Sequence, residues 1–164
     1  MRKKIIVGVS CVVILILVVI SVYLFYVKKP TTTVYVNPET IKGTIGHTFT
    51  VNISVSDVED LYGWQVKLEW NAQILEFVNV TEGSFLKNRG STFFNEKFNE
   101  TGYLILDCTL IGDLSGANGS GVLAMIRFNV KESGSCSLQL SETILVNSSE
   151  ELIQHAAKNG QFST

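Results

Sequence analysis

LYGWQVKLEWN, residues Leu61 to Asn71, is the stretch that decides the fold. From Trp64 it alternates cleanly. Trp64, Val66, Leu68 and Trp70 point one way, and Gln65, Lys67 and Glu69 the other. Period-two alternation marks a strand with one buried and one wet face. Both tryptophans of the chain lie on the buried side. An aromatic side chain buries about 150–250 Å², so this strand is expected to anchor the core. Its wet face is a candidate recognition surface.

The same pattern extends in both directions. Upstream, Val34–Val36 reads as a strand closed by Asn37-Pro38, and Phe49, Val51, Ile53 and Val55 alternate with polar residues. Downstream, Ile74–Val80 is a strand ending at Glu82-Gly83, and Ser91–Phe98 reads as a short edge strand of unclear phase. Leu104, Leu106, Cys108 and Leu110 alternate with Tyr103, Ile105, Asp107 and Thr109. Val122, Ala124, Ile126, Phe128 and Val130 alternate with Leu123, Met125, Arg127 and Asn129. Cys136, Leu138 and Leu140 alternate with Ser137, Gln139 and Ser141, and Gln161–Thr164 closes the chain. Gly116–Gly121, GANGSG, reads as a flexible turn, and Glu150–Ala157 as a helical turn or short helix. About nine short strands with turns between them indicate an all-β sandwich or jelly roll.

The N-terminal segment is different in kind. Ile5–Val27 is a 23-residue run without a charged side chain, and about 20 apolar residues span a bilayer as a helix. The run is too long for the apolar core of a cleaved signal, and no A-x-A site precedes Pro30. An uncleaved signal anchor is therefore favoured over a cleaved signal peptide. Arg2, Lys3 and Lys4 outweigh Lys28 and Lys29, which places the N-terminus in the cytoplasm and the body outside. Tyr23 and Tyr26 suit the outer interface. Cys11 sits too early in the run for a lipidated cysteine. The expected organisation is a cytoplasmic tail at 1–4, a transmembrane helix at 5–27, a spacer at 28–33 and a β domain at 34–164. After residue 29 the chain holds eight Lys or Arg against fifteen Asp or Glu, a net charge of −7. Such a body lacks the basic footprint of a nucleic-acid binder.

Catalytic signals are poor. The chain has no G-x-S-x-G, H-E-x-x-H or P-loop pattern. His47 and His155 read as surface or turn residues. Asp57, Glu59 and Asp60 form an acidic cluster whose oxygens suit Ca²⁺ in type, but a solvated loop is the simpler reading, and no metal or cofactor is expected. Glu69 and Asp107 would make a glycosidase pair only across a cleft, and a flat sheet offers none. Five Asn-X-Ser/Thr sequons, at Asn52, Asn79, Asn99, Asn118 and Asn147, suit a glycosylated extracellular surface.

LYGWQVKLEWNAQILEFVNVTEGSFL, then GYLILDCTLIG, then SGANGSGVLAMIRFNVKESGSCSLQLS and the closing NGQF together resemble a cohesin domain. The most specific parts are G-W-Q-x-x-L-x-W-N-x-x-I-L-E-F and G-S-G-V-L-A-x-I-x-F, and the resemblance spans about Val34 to Thr164. It implies a nine-strand flattened sandwich of jelly-roll topology, related in fold to cellulose-binding modules, with no catalytic activity. Cohesins bind dockerins, Ca²⁺-loaded helical modules, through a sheet face that includes the central strand, and so assemble polysaccharide-degrading complexes. Their polar contacts often come from Asn and Asp near the start of that strand. Gly63 and Gln65 stand there instead, so a standard dockerin is not assumed. The topology also implies that the Cys108 and Cys136 strands flank the central strand. Two strand spacings separate them by about 9.6 Å, beyond disulfide reach.

The expected function is a membrane-anchored, extracellular, non-catalytic module that binds a dockerin-like or other protein partner. The expected binding face is Gln65, Lys67, Glu69, Tyr103, Ile105, Asp107, Thr109 and Gln139. Two alternatives are a carbohydrate-binding module for polysaccharide and a glycosylated cell-envelope protein.

Overall fold

The computed structural model describes residues 31–164. The membrane segment expected at 5–27, with Cys11 inside it, lies outside the described residues. Among the described residues no helix is long and apolar enough to cross a membrane.

Eleven strands and one short helix follow in order: β1 Thr33–Asn37, β2 Thr40–Lys42, β3 Thr48–Leu61, β4 Gly63–Glu69, β5 Leu75–Glu82, α1 Ser84–Lys87, β6 Thr92–Asn99, β7 Tyr103–Leu110, β8 Ala117–Val130, β9 Ser135–Val146, β10 Ala156–Lys158 and β11 Gly160–Ser163. They form a five-stranded sheet, β10-β1-β3-β8-β5, and a six-stranded sheet, β2-β11-β9-β4-β7-β6. Two pairs, β1–β10 and β2–β11, run parallel. β2 and β10 raise the count above the nine expected. At three residues each they are too short for alternation to show.

The central strand is as read. Trp64, Val66, Leu68 and Trp70 are buried, and Gln65, Lys67 and Glu69 are half-exposed. Leu104, Leu106, Cys108 and Leu110 from β7 and Leu138, Leu140 and Leu145 from β9 bury the same face. Val51, Ile53, Val55, Ile126, Phe128 and Val130 meet them from the other sheet in one apolar core. Residues 31–164 thus hold a complete hydrophobic core.

Three expectations fail, each for a local reason. First, Asp57, Glu59 and Asp60 are not a loop. They lie on β3, which runs on to Leu61 through register shifts after Ile53, Val55 and Val58. Asp57 and Asp60 take positive φ, 55° and 56°, a region Asp tolerates better than most side chains. The last two shifts each restore the inward phase, so Val58 and Leu61 are buried. Second, GANGSG is mostly strand. Ala117 and Gly119 of β8 face Leu61 and Val58. Opposite the Ile53–Ser54 step the register skips Leu123, which is buried beside Ala124, although alternation had turned Leu123 outward. Third, Glu150–Ala157 forms no helix. The Asn147 carboxamide oxygen accepts from the backbone N–H of Ser149 and of Glu151 at 2.9 and 2.8 Å, a local turn that competes with helix. Beyond it Leu152 bridges to Val146. His155 is half-buried, with its ring nitrogens 2.8 Å from the Ile153 carbonyl and 2.8 Å from the Thr143 hydroxyl.

Cys108 and Cys136 are free thiols on β7 and β9, the two neighbours of β4. Cys136 is half-buried rather than fully core-facing. Burial, then the Glu82 carboxylate beside it, pushes the Cys108 thiol up to about 12, so it holds almost no thiolate at neutral pH. Iodoacetamide should label Cys136 well before Cys108 in native protein, as read by peptide mass mapping. An oxidised intact mass lower by two hydrogens would contradict the separation of these strands.

Candidate functional site

The outward face of the six-stranded sheet brings together the residues singled out on β4, β7 and β9. The β4–β7 register sets Gly63 opposite Thr109, Gln65 opposite Asp107, Lys67 opposite Ile105 and Glu69 opposite Tyr103. On the other side β9 sets Val146, Ile144, Glu142 and Gln139 against Gly63, Gln65, Lys67 and Glu69. The edge strand β6 adds Phe93, Asn95, Lys97 and Asn99 opposite Thr109, Asp107, Ile105 and Tyr103. All eight expected face residues share this surface. Gln139 is exposed and the other seven are half-buried.

The face has two unlike ends. At one end Lys67 Nζ lies 2.8 Å from Glu69 and 3.3 Å from Glu142, and 5.2 Å from the centre of the Tyr103 ring. Glu69, then Glu142, raises the Lys67 pKa, and Lys67, then Ser141, lowers that of Glu69. Exposed ion pairs add little to stability, so the consequence is positional. The ammonium is held over Tyr103, and Tyr103 and Ile105 are partly covered. At the other end the surface is apolar. Phe93 is 61% exposed, Ile144 41% and Leu152 69%, with Val146 and Thr109 flanking Gly63. A Cβ on Gly63 would meet Val146 Cγ2 at 3.1 Å and Thr109 Oγ1 at 3.3 Å. Its absence lets the neighbours close into a flat patch. The reading from sequence missed this end. Phe93 had no assigned phase, and Ile144 lies beyond a register shift on β9.

Other candidate chemistry disperses. Glu69 and Asp107 are offset by four residues in register, about 13 Å along the strand and wider than the roughly 6.5–9.5 Å a glycosidase pair uses. Among the described residues no group of three or more His, Cys, Asp or Glu is placed to hold a metal ion. Asn52 and Asn79 lie on the other sheet, while Asn118 and Asn147 lie near the Asp60 end and Asn99 ends β6.

Asp60 is a clip. Its carboxylate accepts from the Gly116 N–H at 2.6 Å, the Ser148 N–H at 3.2 Å and the Ser148 hydroxyl at 2.7 Å. Its own N–H donates to the Asn118 carboxamide at 2.7 Å. The Ser148 hydroxyl foremost holds the Asp60 carboxyl below its ordinary value. The folded pKa thus lies below the unfolded value of about 3.9, so the contribution is present above about pH 4 and lost as pH falls through the folded value. Asp60→Asn should flatten the acid limb of the stability curve, read as urea midpoints from about pH 3 to 7. An unchanged limb would assign it to other carboxylates, Glu69 first.

The cohesin domain family model matches residues 34–163. No curated protein matches the sequence. Solved structures of similar fold include a non-cellulosomal cohesin from the hyperthermophilic archaeon Archaeoglobus fulgidus, 19% identical at a TM-score of 0.68, covering 81% of this chain and 90% of that one. The sixth cohesin of Acetivibrio cellulolyticus scaffoldin B, solved in complex with a dockerin, is 16% identical at 0.68, covering 81% and 98%. A type II cohesin from the same organism's cellulosome is 14% identical at 0.67, covering 81% and 95%.

Proposed function

This chain belongs to the cohesin domain family, and from that premise we propose that it is a non-catalytic module whose six-stranded sheet captures a dockerin-like protein partner. One observation carries the reading. A single outward face joins a flat apolar end, Phe93, Ile144 and Leu152, to a rim in which Lys67 is fixed between Glu69 and Glu142. An apolar centre with a polar rim is the anatomy of a protein interface, and the similar scaffoldin B cohesin was solved with a dockerin. On this reading the sandwich has jelly-roll topology, residues 5–27 anchor the chain in the cell membrane, and residues 34–164 display the face outside, in polysaccharide-associated surface complexes.

The test is capture of a purified dockerin in Ca²⁺ by residues 31–164. Wild type should retain it. Tyr103→Ala with Ile105→Ser at the charged end, or Phe93→Asp at the apolar end, should abolish retention while unfolding midpoints hold. Equal capture by wild type and both variants would place the interface elsewhere. No capture by wild type would remove dockerins of that specificity as the partner.

A further inference from the structure

A second site lies on the side of the sandwich, away from the face just described. β5 is the last strand of one sheet and β6 the last of the other. Between these two edges opens a cleft of about 370 Å³, lined by Trp70, Phe77, Phe98, Glu76, Glu100 and Lys131 among others. Its size falls in the range of about 300–1,000 Å³ usual for small-ligand sites.

The cleft's apolar part is an aromatic stack. Phe77 and Phe98 lie with ring centres 4.8 Å apart and planes 26° apart, and Phe98 and Trp70 at 6.4 Å and 12°. Trp70 is buried with its indole N–H donating to the Leu75 carbonyl at 3.1 Å, whereas Phe98 is 44% exposed. Folding leaves much of that ring in water. The polar part is a rim of two carboxylates and one ammonium. Glu76 Oε2 accepts from the Asn129 carboxamide at 3.0 Å, and Lys131 Nζ donates to the Ala72 carbonyl at 3.1 Å. Glu76, Glu100 and Lys131 are all exposed.

Rim and stack together select the occupant. A purely apolar group would seat on Phe98 but strip water from Glu76, Glu100 and Lys131 without replacing it, which is costly. A small ion would satisfy one rim charge and leave the rings unused. An anion would meet two carboxylates against one ammonium. A neutral ring with an apolar C–H face and a hydroxylated edge satisfies both parts, the face on the aromatic stack and the hydroxyls on carboxylate and ammonium. We propose that this cleft is a saccharide site that takes a neutral pyranose unit, with Phe98 as its platform and Glu100 as its principal hydroxyl acceptor. The site is separate from the partner face, so one chain can hold a protein partner and a sugar at once.

The experiment is isothermal titration of residues 31–164 with cellohexaose, xylohexaose, mannohexaose and hexagalacturonate, with tryptophan fluorescence as a second readout through Trp70. At least one neutral hexaose should bind saturably, at least tenfold more tightly than the uronate, a gap of about 1.4 kcal/mol. Phe98→Ala should weaken it at least tenfold and Glu100→Gln several-fold. Both positions are exposed, and Glu100→Gln touches no packing, so it decides the matter if Phe98→Ala unfolds. Three results would overturn the proposal: no saturation by any neutral hexaose up to about 10 mM, where even millimolar affinity registers; affinity unchanged in both variants; or preference for the uronate.

Discussion

Trp70→Ala lowers the unfolding free energy by about 3–5 kcal/mol, the range for truncating a large buried aromatic. A domain of this size holds about 5–15 kcal/mol in total, so the variant sits close to the threshold of folding. Trp70 directly follows the central strand, is 7% exposed, and joins the two sheets. Its ring meets Phe128 of β8 edge-on at 5.0 Å, Phe77 of β5 at 6.5 Å and Phe98 of β6 at 6.4 Å. Removal empties a space bounded by three rings and orphans the Leu75 carbonyl, which accepts the indole N–H. Trp64, 4% exposed, has one ring neighbour, Phe94, at 6.2 Å, so Trp64→Ala falls at the lower end of the same range. Gln65→Ala between them changes stability by no more than about 0.5 kcal/mol. Urea titration of the three variants checks the order. A Trp70→Ala midpoint equal to wild type would mean that the ring carries none of the packing between the sheets.

What was legible in the sequence follows from how side chains report on backbone. β4 and β7 were readable because nothing interrupts their period of two, and their burial alternates residue by residue. With both strands phased, seven of the eight expected face residues fell into place, and Gln139 followed from β9. β3 was truncated because alternation stops at Val55. The sequence continues Val55-Ser-Asp-Val58-Glu-Asp-Leu61, an apolar residue every third position. That is the mark of two successive bulges with an Asp at positive φ in each, although it reads at first as an acidic loop. β6 was read as an edge strand, but its phase stayed open for another reason. An edge strand has one paired neighbour and little burial, so Phe93 and Phe98 carry no inward signal, and both the apolar end of the six-stranded sheet's outward face and the aromatic cleft depend on them.

Gly116→Ala is expected to cost about 3 kcal/mol, at the upper end of what overpacking does, because nothing near this glycine can yield. A Cβ there would lie 2.3 Å from the Asp60 carbonyl carbon, 2.4 Å from its oxygen and 2.7 Å from the Leu61 carbonyl carbon. These are backbone atoms of a bulged strand rather than the far end of a flexible side chain. To relieve the contact the chain must withdraw Gly116 from β3. That stretches the 2.6 Å bond from its N–H to Asp60 and loosens the pairing of Leu61 with Ala117. A hydrogen bond to a charged group contributes about 1.5–3 kcal/mol, so part of that is lost as well. The control is Gly112→Ala. Gly112 has φ +102° and nothing within 4 Å of its Cβ position, so only backbone strain of about 1 kcal/mol is expected. Urea midpoints of the two variants separate the mechanisms, and equal losses would show that the bulged strand yields to the added Cβ at little cost. Because the Asp60 carboxylate also holds Ser148, four residues before Leu152, the same substitution should weaken partner capture at the apolar end of the face. A stable Gly116→Ala protein with full capture would uncouple that loop from the clip.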